Sequence, residues 1–312
     1  MTMIGVRATV GKSVLTRAFS TTWKRPGSVK LQVLSDLHLE SQSYPDFPIP
    51  RKAPYLVLAG DIGNLVDAPH YLNFLTRQCS QFEHVYLVLG NHEFFKGDWA
   101  DGIAEAARLQ ETLKGKLSIL YRQRADVPDS NVTILGCTLH SNIPKLEMSI
   151  VGTKMMDFRR IGNWRVRDYQ KEHKADVKWL QEQVASMSKT EPERRIVIVT
   201  HHAPSKKWLS DPVHENSRWG AAFSTEILRT SFPYWEGRSA VVCWIFGHTH
   251  WNVDFRYGRF RVVSNQRGIV ARSWIPPSWG QARHRWRGKM RYWIARLLGR
   301  TRRFDVGKVI TV

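Results

Sequence analysis

Five short apolar runs in this chain each end in residues that can bind a metal ion or move a proton. Residues 242–250, VCWIFGHTH, end in Gly247-His248-Thr249-His250. Residues 33–40, VLSDLHLE, carry Asp36, His38 and Glu40, and residues 55–63, YLVLAGDIG, carry Asp61. Residues 85–93, VYLVLGNHE, deliver Asn91 and His92, and residues 196–204, IVIVTHHAP, deliver His201 and His202. Imidazole is the commonest protein metal ligand and is costly to bury without a partner. Any one of these histidines would pass as an ordinary loop residue, but carboxylate, amide and imidazole donors at five successive run ends would not. The mixture suits Mn, Fe or Zn better than Ca. Cys79, Cys137 and Cys243 have no ligand spacing and sit in or beside apolar stretches, so they read as reduced, packed thiols.

Positioning these donors requires an α/β framework. Apolar runs this short, closed by glycine, read as strands buried on both faces. Ligands in such sheets collect at the carboxyl ends of the strands. Between the strands, residues 68–80 read as a helix with Tyr71, Leu72, Phe74 and Leu75 as apolar positions, and residues 99–114 as a second helix ended by Gly115. Short strands are expected around 118–121 and 132–139. Residues 141–167 show no clear period and predict a long surface excursion, of a length often functional in compact domains. Asp168 is placed to cap a helix carrying Val177, Leu180, Val184 and Met187. A stretch with Trp208, His214, Asn216 and Trp219 precedes the GHTH strand, and a hairpin is expected about Gly258. Gly247 is expected to turn the chain sharply and to let it approach whatever lies beyond.

The 312 residues suffice for one large domain or two small ones, and no apolar run approaches the roughly 20 residues of a spanning helix. The net charge of +20 is uneven. Residues 1–35 hold six Lys/Arg and no acid, and residues 271–312 hold eleven with Asp305 as the only acid. The nearly neutral middle argues against a catalytic domain built to cover nucleic acid. Residues 1–28 are expected to lie outside the fold, as a mitochondrial presequence with RAFSTT as a processing region or as a basic tail, so the location is cytoplasmic or mitochondrial. Residues 269–303, rich in Trp and Arg, read as an insert ahead of a genuine final strand at 304–312. Contact of the basic ends with an anionic membrane or nucleic acid, and a disordered insert without function, both stay open.

In this order, D-x-H, G-D, G-N-H-E, H-H and G-H-T-H resemble the signature of the calcineurin-like metallophosphoesterases over about residues 29–268. The resemblance implies a four-layer α/β/β/α sandwich with a dinuclear metal site at the strand carboxyl ends. It assigns Asp36, His38 and His250 to one metal, Asn91, His201 and His248 to the other, and Asp61 to both. A metal-bridging hydroxide would attack phosphorus while His92 acts as general acid, protonating the departing alkoxide. LGCTLHSNI, MDFRRI and VSNQRG are similar to segments of the small-molecule-type members, in which a tryptophan often stands at the position of His140. His140 and His202 are the candidate substrate residues, with packing behind the ligands as the other reading of His202. After Asp61 the chain reads Ile62-Gly63-Asn64, without the second Asp and the Arg of protein Ser/Thr phosphatases. This disfavours a phosphoprotein substrate and leaves Glu93 or a backbone carbonyl to orient His92. The expected substrate is a small phosphomonoester or phosphodiester. A non-catalytic scaffold of the same fold and a nuclease using the basic ends are the alternatives, although the ligand set is complete.

Overall fold

The computed structural model of the chain describes residues 27–41, 44, 47–211, 217, 220–269 and 303–312. Two sheets stack face to face. The first contains β1 (Lys30–Leu34), β2 (Tyr55–Ala59), β3 (His84–Val88), β4 (Leu117–Ile119) and β11 (Val309–Thr311), in the order β11-β1-β2-β3-β4. The second contains β5 (Gln123–Asp126), β6 (Val132–Cys137), β7 (Arg195–Thr200), β8 (Val241–Phe246), β9 (Asp254–Tyr257) and β10 (Phe260–Ser264), in the order β5-β6-β7-β8-β10-β9. Pairing is parallel throughout both centres, and only the edge strands β11, β5 and β9 run antiparallel.

Apolar residues fill the central strands because both faces of each are covered. One set of side chains, among them Leu31, Val33, Val57, Ala59 and Val88, meets Ile134, Val197, Val199, Ile245 and Val263 between the sheets. The alternate set of the first sheet, Leu34, Leu56, Leu58, Val85 and Leu87, packs under α1 (Ala68–Gln81) and α2 (Trp99–Thr112). On the far side Leu135, Ile196 and Ile198 pack under Leu180, Val184 and Met187 of α5 (Val166–Thr190). The architecture is therefore the four-layer α/β/β/α sandwich. Strands so enclosed cannot show the polar/apolar alternation of a half-exposed sheet.

Several local expectations are corrected. Residues 141–167 are not a plain surface excursion. They form α3 (Met148–Lys154) and α4 (Asp157–Arg160), and Val151, Met155, Asp157 and Ile161 are buried. These helices are too short to display a period. Asp168 is the third residue of α5 rather than its cap. Its Oδ2 accepts the backbone N–H of Arg165 at 3.1 Å, the reciprocal half of a capping box. The edge strand β5 carries no apolar run, because its sequence, Gln-Arg-Ala-Asp, is polar and half-exposed. At Gly258, φ +60, the expected hairpin of β9 and β10 forms. Residues 1–26 and 270–302, and with them the candidate presequence and most of the Trp/Arg-rich insert, lie outside the described residues, as do His214, Asn216 and Trp219. Among the described residues no helix is long and apolar enough to cross a membrane.

Candidate dinuclear metal centre

The donors gather where the strands of both sheets end. Asp36 and His38 follow β1, Asp61 follows β2, Asn91 and His92 follow β3, His201 follows β7, and His248 and His250 follow β8. A parallel bridge between Ser35 and Gln266 joins the sheets at this end. The turns that deliver the donors are strained. Asp36, His38, Asp61, His248 and His250 all have φ between +47 and +70, a region costing roughly 1 kcal/mol or more for residues with a Cβ. Gly247 itself is not in this region, so the sharp turn is made by His248 at φ +70. The glycine serves close approach instead. A Cβ there would stand 2.7 Å from Asp36 Oδ2 and 2.8 Å from the Ala59 carbonyl. At Gly60, φ +87, a Cβ would meet the His201 ring at 2.3 Å.

Three sets of side chains bring ligand atoms within 4.8 Å of one another: Asp36/His38/His250, His38/Asp61/His92 and Asp61/His201/His248. They overlap through His38 and Asp61, so the cluster is continuous. Its lone pairs face each other. His201 Nδ1 donates to the Ala59 carbonyl at 2.9 Å, which in the neutral ring leaves Nε2 as an acceptor. That lone pair lies 3.3 Å from Asp61 Oδ1, 3.1 Å from Asn91 Oδ1 and 3.2 Å from His248 Nδ1. His38 Nε2 and His250 Nε2 are 3.0 Å apart, and His250 Nε2 is 3.4 Å from Asp36 Oδ1. His248 Nε2 is buried without a partner. Acceptors converging on acceptors repel unless a cation lies among them. The mixed N/O donor set therefore fits two divalent or trivalent ions.

The supports of these donors were only partly legible. Glu93 is fully buried. It accepts the backbone N–H groups of Asp61 (2.9 Å), Ile62 (2.7 Å) and Gly90 (2.7 Å) and the Tyr71 hydroxyl (3.0 Å). It clamps the β2 and β3 loops together and does not orient His92, contrary to expectation. That contact belongs to Glu40, whose Oε1 accepts from His92 Nδ1 at 2.7 Å and from His38 Nδ1 at 3.3 Å. Asn64 donates its side-chain N–H to the His92 carbonyl. Asp157 Oδ1 accepts from Asn91 Nδ2 at 2.9 Å and turns the Asn91 carbonyl oxygen toward His201.

Electrostatics set the protonation of these groups. Burial disfavours the charged form of His92, but Asp61 and the Glu40 hydrogen bond outweigh it and raise its pKa to about 9. Burial likewise opposes the charge on Glu40, and the His38 and His92 hydrogen bonds overcome it, lowering the pKa to about 2. Burial raises Asp157 to about 6.

A cleft of about 200 Å³ opens over the cluster, reaching Asp61, Asn91, His92, His248 and His250. The two candidate substrate histidines do not line it. His202 is fully buried, with its ring 4.0 Å from that of His248 and its Nδ1 3.3 Å from the Thr138 carbonyl. His140 lies deeper, against Tyr169 and His202, with Nδ1 3.4 Å from Asp176 Oδ2. Both lie buried behind the donors, with their rings turned inward between β6, β7 and α5.

A family model described as calcineurin-like phosphoesterase matches residues 30–252. An uncharacterized protein, L509, of Acanthamoeba polyphaga mimivirus is 24% identical over 271 residues, covering 76% of this chain and 90% of that protein. Among solved structures, the phosphopantetheinyl hydrolase of Mycobacterium tuberculosis superposes with a TM-score of 0.55 at 16% identity, over 78% of this chain and 90% of its own. At that identity the likeness speaks for the fold alone.

Proposed function

The chain belongs to the calcineurin-like phosphoesterase family and is a hydrolase of phosphoric esters, and from that premise we propose that it cleaves a small phosphomonoester or phosphodiester with His92 as general acid. The observation that supports this reading is the overlap of three donor sets through His38 and Asp61, which would let Asp61 serve both ions of a pair. Asp36, His38, Asp61 and His250 would hold one, and Asp61, Asn91, His201 and His248 the other. When bound, such ions neutralise phosphoryl oxygens and acidify water at neutral pH. The rest falls to the chain's own side chains. Asn91, fixed by Asp157, presents its carbonyl oxygen in one orientation only. His92 Nδ1 is committed to Glu40, so Nε2 is the nitrogen left to face the substrate. By accepting from Nδ1 at 2.7 Å, the Glu40 carboxylate favours the protonated ring, from which Nε2 would give its proton to a departing alkoxide. The Phe95 ring, 4.2 Å from the His92 ring, shields this side from water.

The test is His92→Ala assayed across a leaving-group series with Mn supplied. kcat should fall by about 10²- to 10⁴-fold for alkyl phosphates, with metal content retained, and much less for 4-nitrophenyl phosphate, whose leaving group needs no proton. Equal losses across the series would remove the general-acid role.

A further inference from the structure

We propose that Lys154, at the rim of the cleft, selects the leaving group by pairing with a second negative charge on a compact, partly apolar substrate. The proposal rests on the hydrolase reading above and adds the substrate class. Above the polar floor the cleft is walled by Phe95, Met155, Met156 and Phe223, with Lys154 beside them. Among the described residues lining the cleft, Lys154 is the sole Lys or Arg. Its ammonium has no carboxylate partner among the described residues, so its charge is open to a bound anion. The chain lacks the arginine that grips phosphate in protein phosphatases, since Ile62-Gly63-Asn64 stands in its place.

Depth decides which part of a substrate Lys154 meets. Asp61 and Asn91, at the floor, are 2% and 6% exposed, whereas Lys154 is exposed and its neighbour Met156 is 41% exposed. The transferred phosphoryl group belongs at the floor with Asn91 and His92. What projects past Met156 and Phe223 is the leaving group. A volume of about 200 Å³ is below the roughly 300–1,000 Å³ of sites for drug-sized molecules, so that group is small. Methionine and phenylalanine walls accept an apolar body, and at the exposed rim the attraction between a lysine and an anion is solvent-screened and modest. An unpaired cation on an apolar rim therefore discriminates by charge more than it adds affinity.

The experiment compares phenyl phosphate with 4-carboxyphenyl phosphate, supplied with Mn, in the wild type, Lys154→Met, Lys154→Arg and Lys154→Glu. The quantity read is the ratio of kcat/KM for the two esters, in which intrinsic reactivity cancels between proteins. Relative to wild type, the ratio should fall about fivefold in Lys154→Met, further in Lys154→Glu, and hold in Lys154→Arg. Calorimetric binding of phenylphosphonate and 4-carboxyphenylphosphonate to the same Mn-supplied proteins separates this claim from the hydrolase reading. Lys154-dependent discrimination between the phosphonates without turnover of either ester would support the subsite and sink the hydrolase reading. Turnover with the same ratio in wild type and Lys154→Met, or no discrimination in either assay, would overturn the subsite.

Discussion

Replacing Glu40 by Gln isolates the contact that prepares His92. One carboxylate oxygen accepts from His92 Nδ1 at 2.7 Å and His38 Nδ1 at 3.3 Å, in a group only 14% exposed. Glutamine keeps the size and one acceptor but removes the charge. The loss must lower the His92 pKa, because the Glu40 hydrogen bond and charge are two of the causes that raise it to about 9, and burial already pushes the other way. If His92 fell to the ordinary value near 6.5, its protonated fraction at pH 8 would drop about 30-fold, but at pH 6 by less than about twofold. The assay is a pH–rate profile for phenyl phosphate and 4-nitrophenyl phosphate at saturating Mn, since His38 also loses a partner and metal affinity should weaken about 10- to 100-fold. For phenyl phosphate the basic limb of kcat should move to lower pH. For 4-nitrophenyl phosphate it should barely move. An unshifted basic limb at full metal occupancy, or the same shift for both esters, would refute the reasoning.

Asp61→Asn should lower metal content and abolish turnover, because the side chain shared by two donor sets loses its charge; elemental analysis with an activity assay checks this, and wild-type rates with metals retained would contradict it. Asp157→Asn should stabilise the fold at neutral pH. The buried carboxyl has its pKa raised to about 6 from 3.8, so its ionisation opposes folding, by nothing below about pH 4 and by on the order of 3 kcal/mol above pH 6. Melts in chelator from pH 4 to 7 should show the variant gaining on the wild type as pH rises, and a gap that does not change with pH would count against this. Removing residues 304–312 should cost about 3 kcal/mol or more, since Ile310 is fully buried between the sheets and Val309–Thr311 pair with β1. We propose that excising 272–303 alone leaves a folded, metal-binding enzyme; denaturant melts and metal analysis of both deletions compare these outcomes.

The strands and their chemical ends were legible in the sequence because both signals are local. A run such as Val85–Leu89 is apolar because each face of its sheet is covered, and Gly90-Asn91-His92 follows it within a few residues. The chain order of the donors then pointed to one fold and one kind of site. What the sequence left open was which group faces which. Glu40 and His92 are 52 residues apart, and Asn91 and Asp157 are 66 apart. No periodicity links such pairs, so Glu93, the neighbour in sequence, was the natural candidate to orient His92. The fold instead points Glu93 at backbone N–H groups of two loops. His140 and His202 have the residue type and strand-end position of ligands, yet their rings turn inward against Asp176 and Thr138. Residue type and spacing are written along the chain, whereas the direction of a side chain from a strained turn depends on the loops packed around it. The tertiary structure alone therefore decided which histidines face the cleft and which carboxylates hold them.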